Sequence, residues 1–432
     1  MTKPKTQVTD ALNFYEGNNP RALAEEYRTP LYVYSERILR QNCRDCASLT
    51  DYPNFEVHYS IKANSNPFLL GIAREEGLRV DATSAGEIFI ALYAGFMPDE
   101  IFFVANNIDA EEMRFAFERG VLISLDSLSQ LDLYGSLNPG GRAALRFNPG
   151  IGAGHHEKVI TGGKDTKFGI NPEYIPQVKE ILKKHQLRLV GINQHIGSLF
   201  MTPEKYLASV ESLFAIASQF EGLEFIDLGG GFGIPYRKQE GEPRLDLAAL
   251  GGQLTRLMDG FSKLYSPRNS AELTFKIEPG RYITAEAGVL LGAVTAVKHN
   301  GSRKYIGTDL GFNVLMRPVL YGSRHEFEVY KESGRPVQAE THAGGGPPAT
   351  IVGNICETGD ILAQDISLPE LVPGDIIAVL DAGAYGFSMS SNYNGRQRPA
   401  ELLIREGGQH MQIRRRDSLE DLVRHYPVPP VR

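Results

Sequence analysis

The chain has few cysteines and no long hydrophobic run, and both absences exclude whole classes of protein. Three cysteines in 432 residues do not make a disulfide framework. Cys43 and Cys46 form a C-x-x-C pair, but no second Cys/His pair stands at matching spacing, so we predict no metal site. No apolar stretch approaches the roughly 18 residues of a membrane helix, and the N-terminal segment lacks the apolar core of a signal peptide. We therefore expect a cytoplasmic protein with no membrane partner.

An excess of positive charge is absent too. The 45 Lys and Arg residues against 52 Asp and Glu residues give a net charge of 45 − 52 = −7. A mildly acidic chain lacks the basic patch that nucleic acids and anionic membranes select, so we expect neither as a partner. At roughly 100–200 residues per domain, the length predicts two or three domains.

The first two-thirds of the chain alternates short β-rich runs with helical patterns. After an opening strand at 31–35 and a helix, eight such runs follow over about 230 residues, the size and rhythm of a (β/α)8 barrel. An open doubly wound sheet is the alternative. The eight runs are 55–62, 78–84, 101–106, 121–127, 143–149, 189–197, 224–231 and 273–280.

Polar residues at the ends of these runs favour the barrel. A barrel brings the C-terminal ends of its strands to one face, where the active sites of such barrels form. Polar loops after strands would explain the asparagines, but they explain less well a Lys, a His, a Gly triplet and a Glu together. The residues at these ends are Lys62, Ser84, Asn106, Asp126, Asn148, His195, Gly229–Gly231 and Glu278.

The pattern changes after about residue 285. Strand-like runs with turn residues between them replace the helical periodicity, and they predict an all-β second domain. Two glycine-rich stretches stand out, at 148–170 and 342–350. The first is long for a barrel loop, so we interpret it as a lid or binding loop, and we expect the second to be irregular.

Several strand ends carry residues suited to one cofactor chemistry. Lys62 is either a surface lysine or, if desolvated at a barrel mouth, an amine that can form a Schiff base. Three glycines at Gly229–Gly231 form either a tight turn or a backbone cup for a phosphate, and they match neither a dinucleotide fingerprint nor a P-loop. Glu278 is a carboxylate that can keep a pyridine nitrogen protonated. His195 is either an ordinary strand histidine or a ring that stacks on a flat cofactor.

Taken together and in this order, the motifs resemble those of the fold type III pyridoxal-phosphate-dependent decarboxylases. The resemblance runs from about residue 29 to residue 420 and rests on YSIKAN, DATSAGE, HIGS, LGGGFG, EPGR, LMRPVLYGS, CETGD and DAGAYG. It implies a (β/α)8 barrel over 36–285 and a β-barrel domain formed by 1–35 and 286–432. The cofactor it implies is pyridoxal 5'-phosphate.

The resemblance also implies residue roles in cofactor binding. Lys62 would hold the cofactor as a Schiff base, His195 would stack on its ring, and Glu278 would pair with its ring nitrogen. The remaining cofactor contacts would come from Ser198, Gly229, Gly230, Gly231, Gly280, Arg281 and Tyr385.

A second set of roles concerns the substrate and the partner subunit. Cys356 would donate the proton that replaces the carboxylate. Cys356 and Glu357 would reach into the active site of a second copy, so a homodimer with shared active sites is expected. The residues expected to bind substrate are Arg281, Arg317, Tyr321, Glu357 and Tyr385.

The distal end of the substrate decides among the decarboxylases of this family. Arg281 and Arg317 suit a carboxylate and Glu357 suits an ammonium, and diaminopimelate carries both groups there. Relatives that act on ornithine have Asp in place of Glu357. We therefore expect decarboxylation of meso-diaminopimelate to L-lysine in lysine biosynthesis. The alternatives are a decarboxylase of lysine, ornithine or carboxynorspermidine, a cofactor-free regulatory protein, and a racemase.

Overall fold

The computed structural model describes residues 7–152, 163, 166–269, 272–331, 336–337 and 348–427. Parts of the two predicted glycine-rich loops, residues 153–162, 164–165 and 342–347, lie outside these described residues. The chain divides into two compact units. The sheet unit comprises Met1–Leu39, Tyr236–Pro243 and Thr284–Arg432, and the barrel unit comprises Arg40–Pro235 and Arg244–Ile283. The division at residues 35 and 285 stays a prediction.

The barrel unit is built on eight parallel strands that close on themselves. Strand β1 (Leu31–Ser35) belongs to the sheet unit. The next eight strands of the chain, β2 to β9, each pair with the following one, and β9 pairs with β2 to close the barrel. This closure confirms the predicted (β/α)8 barrel and shows that the open-sheet alternative is wrong. The barrel strands are β2 (Phe55–Ser60), β3 (Arg79–Ala82), β4 (Ile101–Val104), β5 (Leu122–Leu125), β6 (Arg142–Arg146), β7 (Arg188–Asn193), β8 (Phe225–Asp227) and β9 (Thr274–Ile277).

Large apolar side chains fill the barrel interior. Phe102 and Phe225 meet edge to face with ring centroids 5.4 Å apart, and both are buried. Each such side chain contributes about 1.5–3 kcal/mol by leaving water. Gly191 on β7 allows this packing, because a Cβ there would overlap the Phe225 ring.

Helices follow the barrel strands, and several begin directly after a capping residue. Asn66 accepts a hydrogen bond from the N–H of Phe68 ahead of Pro67, Ser84 accepts from Glu87, and Asp109 caps the next helix in the same way. Such caps satisfy N–H groups that the helix itself leaves unpaired. The helices are α1 (Val8–Ala11), α2 (Pro20–Tyr27), α3 (Glu36–Ala47), α4 (Pro67–Glu75), α5 (Ala85–Tyr93), α6 (Ala110–Phe117), α7 (Leu128–Leu137), α8 (Ile175–Lys184), α9 (Glu204–Ala217), α10 (Leu247–Asn269), α11 (Arg281–Thr284) and α12 (Arg317–Tyr321).

Within the residues that the structure describes, no helix combines the length and the apolar character needed to cross a membrane.

The sheet unit consists mainly of a ten-stranded sheet, which confirms the prediction of a β-rich second domain. The closure of this sheet into a β-barrel stays a prediction. Strand β1 from the N-terminal segment lies inside this sheet, antiparallel to one neighbour and parallel to the other. The other strands are β10 (Gly288–Asn300), β11 (Arg303–Thr308), β12 (Phe327–Tyr330), β13 (Pro336–Val337), β14 (Ala349–Val352), β15 (Ile361–Ile366), β16 (Ile376–Val379), β17 (Ala400–Ile404) and β18 (His410–Arg414). The main path runs β13-β12-β16-β10-β1-β17-β18.

Candidate active site

Charged and polar side chains gather at the C-terminal ends of the barrel strands. Burying a charge is costly unless other groups compensate it, so such a cluster marks a candidate functional site rather than a stabilising core. The buried members, each within one residue of the C-terminal end of a strand, are Asp81, Asp126, Arg146, Asn193, Asp227 and Glu278.

Lys62 follows β2 and is half-buried at this end of the barrel. Burial raises the pKa of Asp81 on β3, while the positive charge of Lys62 and a hydrogen bond from the Ser60 hydroxyl act in the opposite direction. Lys62 also lowers the pKa of Glu278 against the effect of burial. The lysine amine therefore stands among buried carboxylates.

Glu278 is the carboxylate that ends β9, and only 4% of it is exposed. Burial, together with the neighbouring carboxylates of Asp227 and Asp81, raises its pKa well above the usual range. Its Oε1 atom has no hydrogen-bond partner among the described residues. A buried carboxylate oxygen without a donor suits a cationic N–H that a bound group would bring.

Asp227 lies beside Glu278 and is fully buried. Burial raises its pKa to about 6, although its Oδ1 accepts a hydrogen bond from the N–H of Gly229 at 2.9 Å. Arg146 on β6 supplies positive charge to the same cluster, and its guanidinium also lies over the Phe168 ring, 4.7 Å from the centroid.

The glycine triplet after β8 packs directly against neighbouring backbone. A Cβ at Gly229, Gly230 or Gly231 would overlap the carbonyl oxygens of Gln194, Glu278 and Gly197 respectively. Gly229 and Gly231 also have φ values of 77° and 105°, a region that favours glycine. Only glycine fits these three positions, and the resulting turn can present backbone N–H groups to a phosphate.

His195 and Arg281 flank this glycine cup. His195 accepts a hydrogen bond at Nδ1 from the N–H of Gly230, at 3.2 Å. Burial, Lys62 and Arg146 hold the pKa of His195 well below its usual range, so the ring is neutral at neutral pH and carries its proton on Nε2. Arg281 follows Gly280, and its Nη2 donates to the Ser198 hydroxyl at 2.9 Å.

The other predicted site residues belong to the sheet unit. Arg317 and Tyr321 begin and end α12, and Tyr385 follows β16 with a φ of 55°. Cys356 and Glu357 are exposed in the loop between β14 and β15.

A neighbouring loop of the sheet unit holds this exposed pair. The Cys356 N–H donates to Asn394 Oδ1 at 3.0 Å. Glu357 accepts a hydrogen bond from the Tyr393 hydroxyl at 2.6 Å. These two hydrogen bonds tie the Cys356–Glu357 segment to the neighbouring loop, while both residues stay exposed.

The C-x-x-C pair is part of the core. Cys43 and Cys46 are buried in α3, and burial raises the pKa of Cys43 to about 12. A thiol that resists ionisation is a poor nucleophile and a poor metal ligand. No group of three or more His, Cys, Asp or Glu side chains placed to hold a metal occurs in the described part of the chain.

Besides the amide of Asn193, the sequence analysis missed three charged members of the buried cluster, namely Asp81, Arg146 and Asp227. Each is a charged residue inside an apolar strand run, in LRVDATS, AALRFNP and EFIDLGGG. That interruption was the available signal, because a charge on a barrel strand has to face compensating groups.

Comparisons with known proteins agree with this geometry. The family described as the pyridoxal-binding domain of pyridoxal-dependent decarboxylases matches residues 37–285. The diaminopimelate decarboxylase of Methanothermobacter thermautotrophicus is 43% identical over 415 residues, which cover 94% of each chain. That of Escherichia coli K12 is 36% identical over 93% of this chain and 94% of its own. The Helicobacter pylori diaminopimelate decarboxylase complexed with L-lysine superposes with a TM-score of 0.83 at 30% identity, covering 94% of this chain and 98% of that one.

Proposed function

The chain belongs to the diaminopimelate decarboxylase family of pyridoxal-dependent decarboxylases, and we propose that it converts meso-diaminopimelate into L-lysine and carbon dioxide. Its cofactor is pyridoxal 5'-phosphate. The observation that carries the proposal is the buried Glu278, whose Oε1 lacks a partner among the described residues, in the same cluster as Lys62. We also keep the prediction of a cytoplasmic location.

The residues of the barrel unit fit the cofactor. Lys62 would hold its aldehyde carbon, the glycine cup with Gly280 and Arg281 would hold its phosphate, and Ser198 would add a contact. Tyr385 of the sheet unit would add another. Glu278 would accept a hydrogen bond from its protonated ring nitrogen. When bound, the cofactor supplies an electron sink for the electron pair left behind as the carboxylate departs.

The side chains around the cofactor position set its charge and supply the proton for the reaction. Glu278 provides the negative charge that keeps a ring nitrogen protonated, so its raised pKa would fall again as the ion pair forms. Neutral His195 offers a flat face without adding a second positive charge. Cys356 would deliver the proton that takes the place of the departed carboxylate at Cα.

The substrate is distinguished at its distal end. Arg317, Arg281, Tyr321 and Tyr385 would bind the carboxylate that is retained, and Glu357 would bind the neighbouring ammonium. A lysine or ornithine substrate has its single carboxylate at the reacting end and presents only an ammonium at the distal end, so guanidinium groups placed there favour diaminopimelate.

A homodimer completes this proposal. Cys356 and Glu357 are exposed in the single chain, although their proposed roles require contact with substrate. We propose that they serve the active site of a second copy.

Carbon dioxide release separates the candidate substrates. The cofactor-loaded protein is supplied with meso-diaminopimelate, L-lysine or L-ornithine in separate reactions, and released carbon dioxide and amine product are measured. The proposal predicts release from meso-diaminopimelate with an equal amount of L-lysine. Release from lysine or ornithine and none from diaminopimelate would contradict it and favour a decarboxylase of those amino acids.

A further inference from the structure

Arg317 is a charged residue that is almost completely buried in the folded chain. Only 1% of the residue is exposed, and it stands at the first position of the five-residue helix α12. A buried guanidinium needs fixed partners, since an uncompensated charge in the interior is costly. The described contacts of Arg317 therefore show how its orientation is set.

His325 provides one of these contacts through a hydrogen bond of defined direction. Arg317 Nη1 lies 2.8 Å from His325 Nε2, and His325 Nδ1 lies 2.7 Å from the carbonyl oxygen of Leu380. A guanidinium only donates, so Nε2 accepts. The carbonyl only accepts, so Nδ1 carries the proton. His325 is therefore a neutral ring that links the guanidinium to backbone at the end of β16.

Tyr236 provides a second contact with the guanidinium. Arg317 Cζ lies 4.7 Å from the centroid of the Tyr236 ring, and His325 meets the same ring edge-on with centroids 5.5 Å apart. The guanidinium carbon lies over the Tyr236 ring while Nη1 donates to His325. These two contacts limit the freedom of Arg317 to reorient.

We propose that His325 is a positioning residue, which holds the Arg317 guanidinium in the orientation that binds the retained carboxylate of the substrate. The inference rests on the proposed function, because it takes the Arg317 role from there. His325 itself does not touch the substrate. It acts through Arg317, so its loss reduces the affinity for any ligand with that carboxylate and spares ligands without it.

Two substitutions at one position separate the two hydrogen bonds of His325. His325→Asn keeps a donor near the place of Nδ1 for Leu380 and loses the acceptor for Arg317. His325→Gln places an amide oxygen near the position of Nε2 and keeps that acceptor. We expect His325→Asn to raise KM for meso-diaminopimelate roughly tenfold or more with little change in kcat. The reason is that it weakens one charge-assisted hydrogen bond, which is made equally in the ground state and the transition state. His325→Gln should stay within about threefold of the wild-type KM.

Product binding gives a readout that a general structural defect would not reproduce. L-Lysine keeps the carboxylate in question, whereas 1,5-diaminopentane has none. Dissociation constants of both ligands are measured by calorimetry on the cofactor-loaded enzyme. Each variant therefore carries its own internal control in the second ligand.

The expected pattern is weaker lysine binding in His325→Asn with unchanged diaminopentane binding. In an Arg317→Ala background, His325→Asn should cause no further loss, because the two residues act on one contact. Lysine binding equal to wild type in His325→Asn, or an equal loss for both ligands, would overturn the proposal. If His325→Asn does not fold, His325→Ala removes the same acceptor and is measured instead.

The wild-type enzyme is assayed first, so that the two proposals can fail separately. If the wild type does not turn over diaminopimelate, the proposed substrate is wrong. If the wild type is active and the His325 variant is unaffected, the role proposed for His325 is wrong.

Discussion

The backbone carbonyl oxygen of Glu278 occupies the space in which Gly230 would carry a side chain. The N–H of the same glycine donates to Nδ1 of His195. The glycine cup, the carboxylate proposed for the ring nitrogen and the histidine proposed to stack on the ring are therefore packed against one another. A change at Gly230 should disturb all three.

Replacing Gly230 with alanine tests this packing. We expect Gly230→Ala to cost about 1–3 kcal/mol of stability, because backbone has to shift to accept the Cβ. Cofactor affinity should fall as well, measured by titration of absorbance. Gly260→Ala is the matched control, since this glycine lies inside α10 with nothing within 4 Å of its Cβ position. It should be neutral or stabilising by up to about 1 kcal/mol. Equal effects of the two substitutions would contradict the packing argument.

The buried carboxyl of Asp227 predicts a pH dependence of the cofactor-free protein. Its pKa is raised from 3.8 to about 6, so the folded chain binds this proton more tightly than the unfolded chain does. The resulting stability is fully present below about pH 4 and is lost as pH rises through about 6. Asp227→Asn keeps an oxygen for the Gly229 N–H and removes the titration. The melting temperature of the variant relative to wild type should therefore rise between pH 4 and pH 7. A difference that does not change with pH would contradict this.

A buried ion network in the sheet unit predicts a stability effect. Lys238 Nζ lies 2.5 Å from Asp381 Oδ1 and 3.1 Å from Glu286 Oε1, and both carboxylates are 4% exposed. Lys238→Met would leave them buried without their cation, at a cost of about 3–5 kcal/mol. Lys184→Met is the control, because its pair with Asp132 is largely exposed and should matter by less than about 1 kcal/mol. Thermal unfolding of both variants checks this, and equal shifts would be evidence against it.

The barrel could be predicted because local patterns encode it. Apolar runs buried on both sides mark parallel strands, and Asn66, Ser84 and Asp109 mark the helix starts that follow them. The strand ends also revealed Lys62, His195 and Glu278 as candidates, since polar side chains end otherwise apolar runs.

The remaining features depend on contacts between residues far apart in the chain. No residue near Gly230 in the sequence indicates that the backbone carbonyl of Glu278 lies where a side chain at Gly230 would extend. Likewise Arg317 and His325 are close in sequence, but Tyr236 and Leu380 reach them only through the fold. Asp81 and Asp227 are single charges whose compensation depends on the barrel register.

The proposed sharing of active sites between two copies predicts complementation between two inactive variants. Lys62→Ala and Cys356→Ala should each form inactive homodimers. When both chains are produced together, a mixed dimer contains one site with both residues intact, so roughly a quarter of wild-type activity should return in a random mixture. Isolated mixed dimers, separated by two affinity tags, should show about half of wild-type activity, because one of their two sites is intact. No recovery in a verified mixed dimer would count against residues donated by the partner.

Lys62→Ala tests the central claim most directly. The wild-type protein loaded with pyridoxal phosphate should show a visible absorbance band and release carbon dioxide from meso-diaminopimelate. The variant should lose the band and the turnover while keeping the wild-type fold by circular dichroism, since only the amine proposed to hold the cofactor is removed. A variant that retained both the band and normal turnover would contradict the assignment of Lys62 and the function proposed from it.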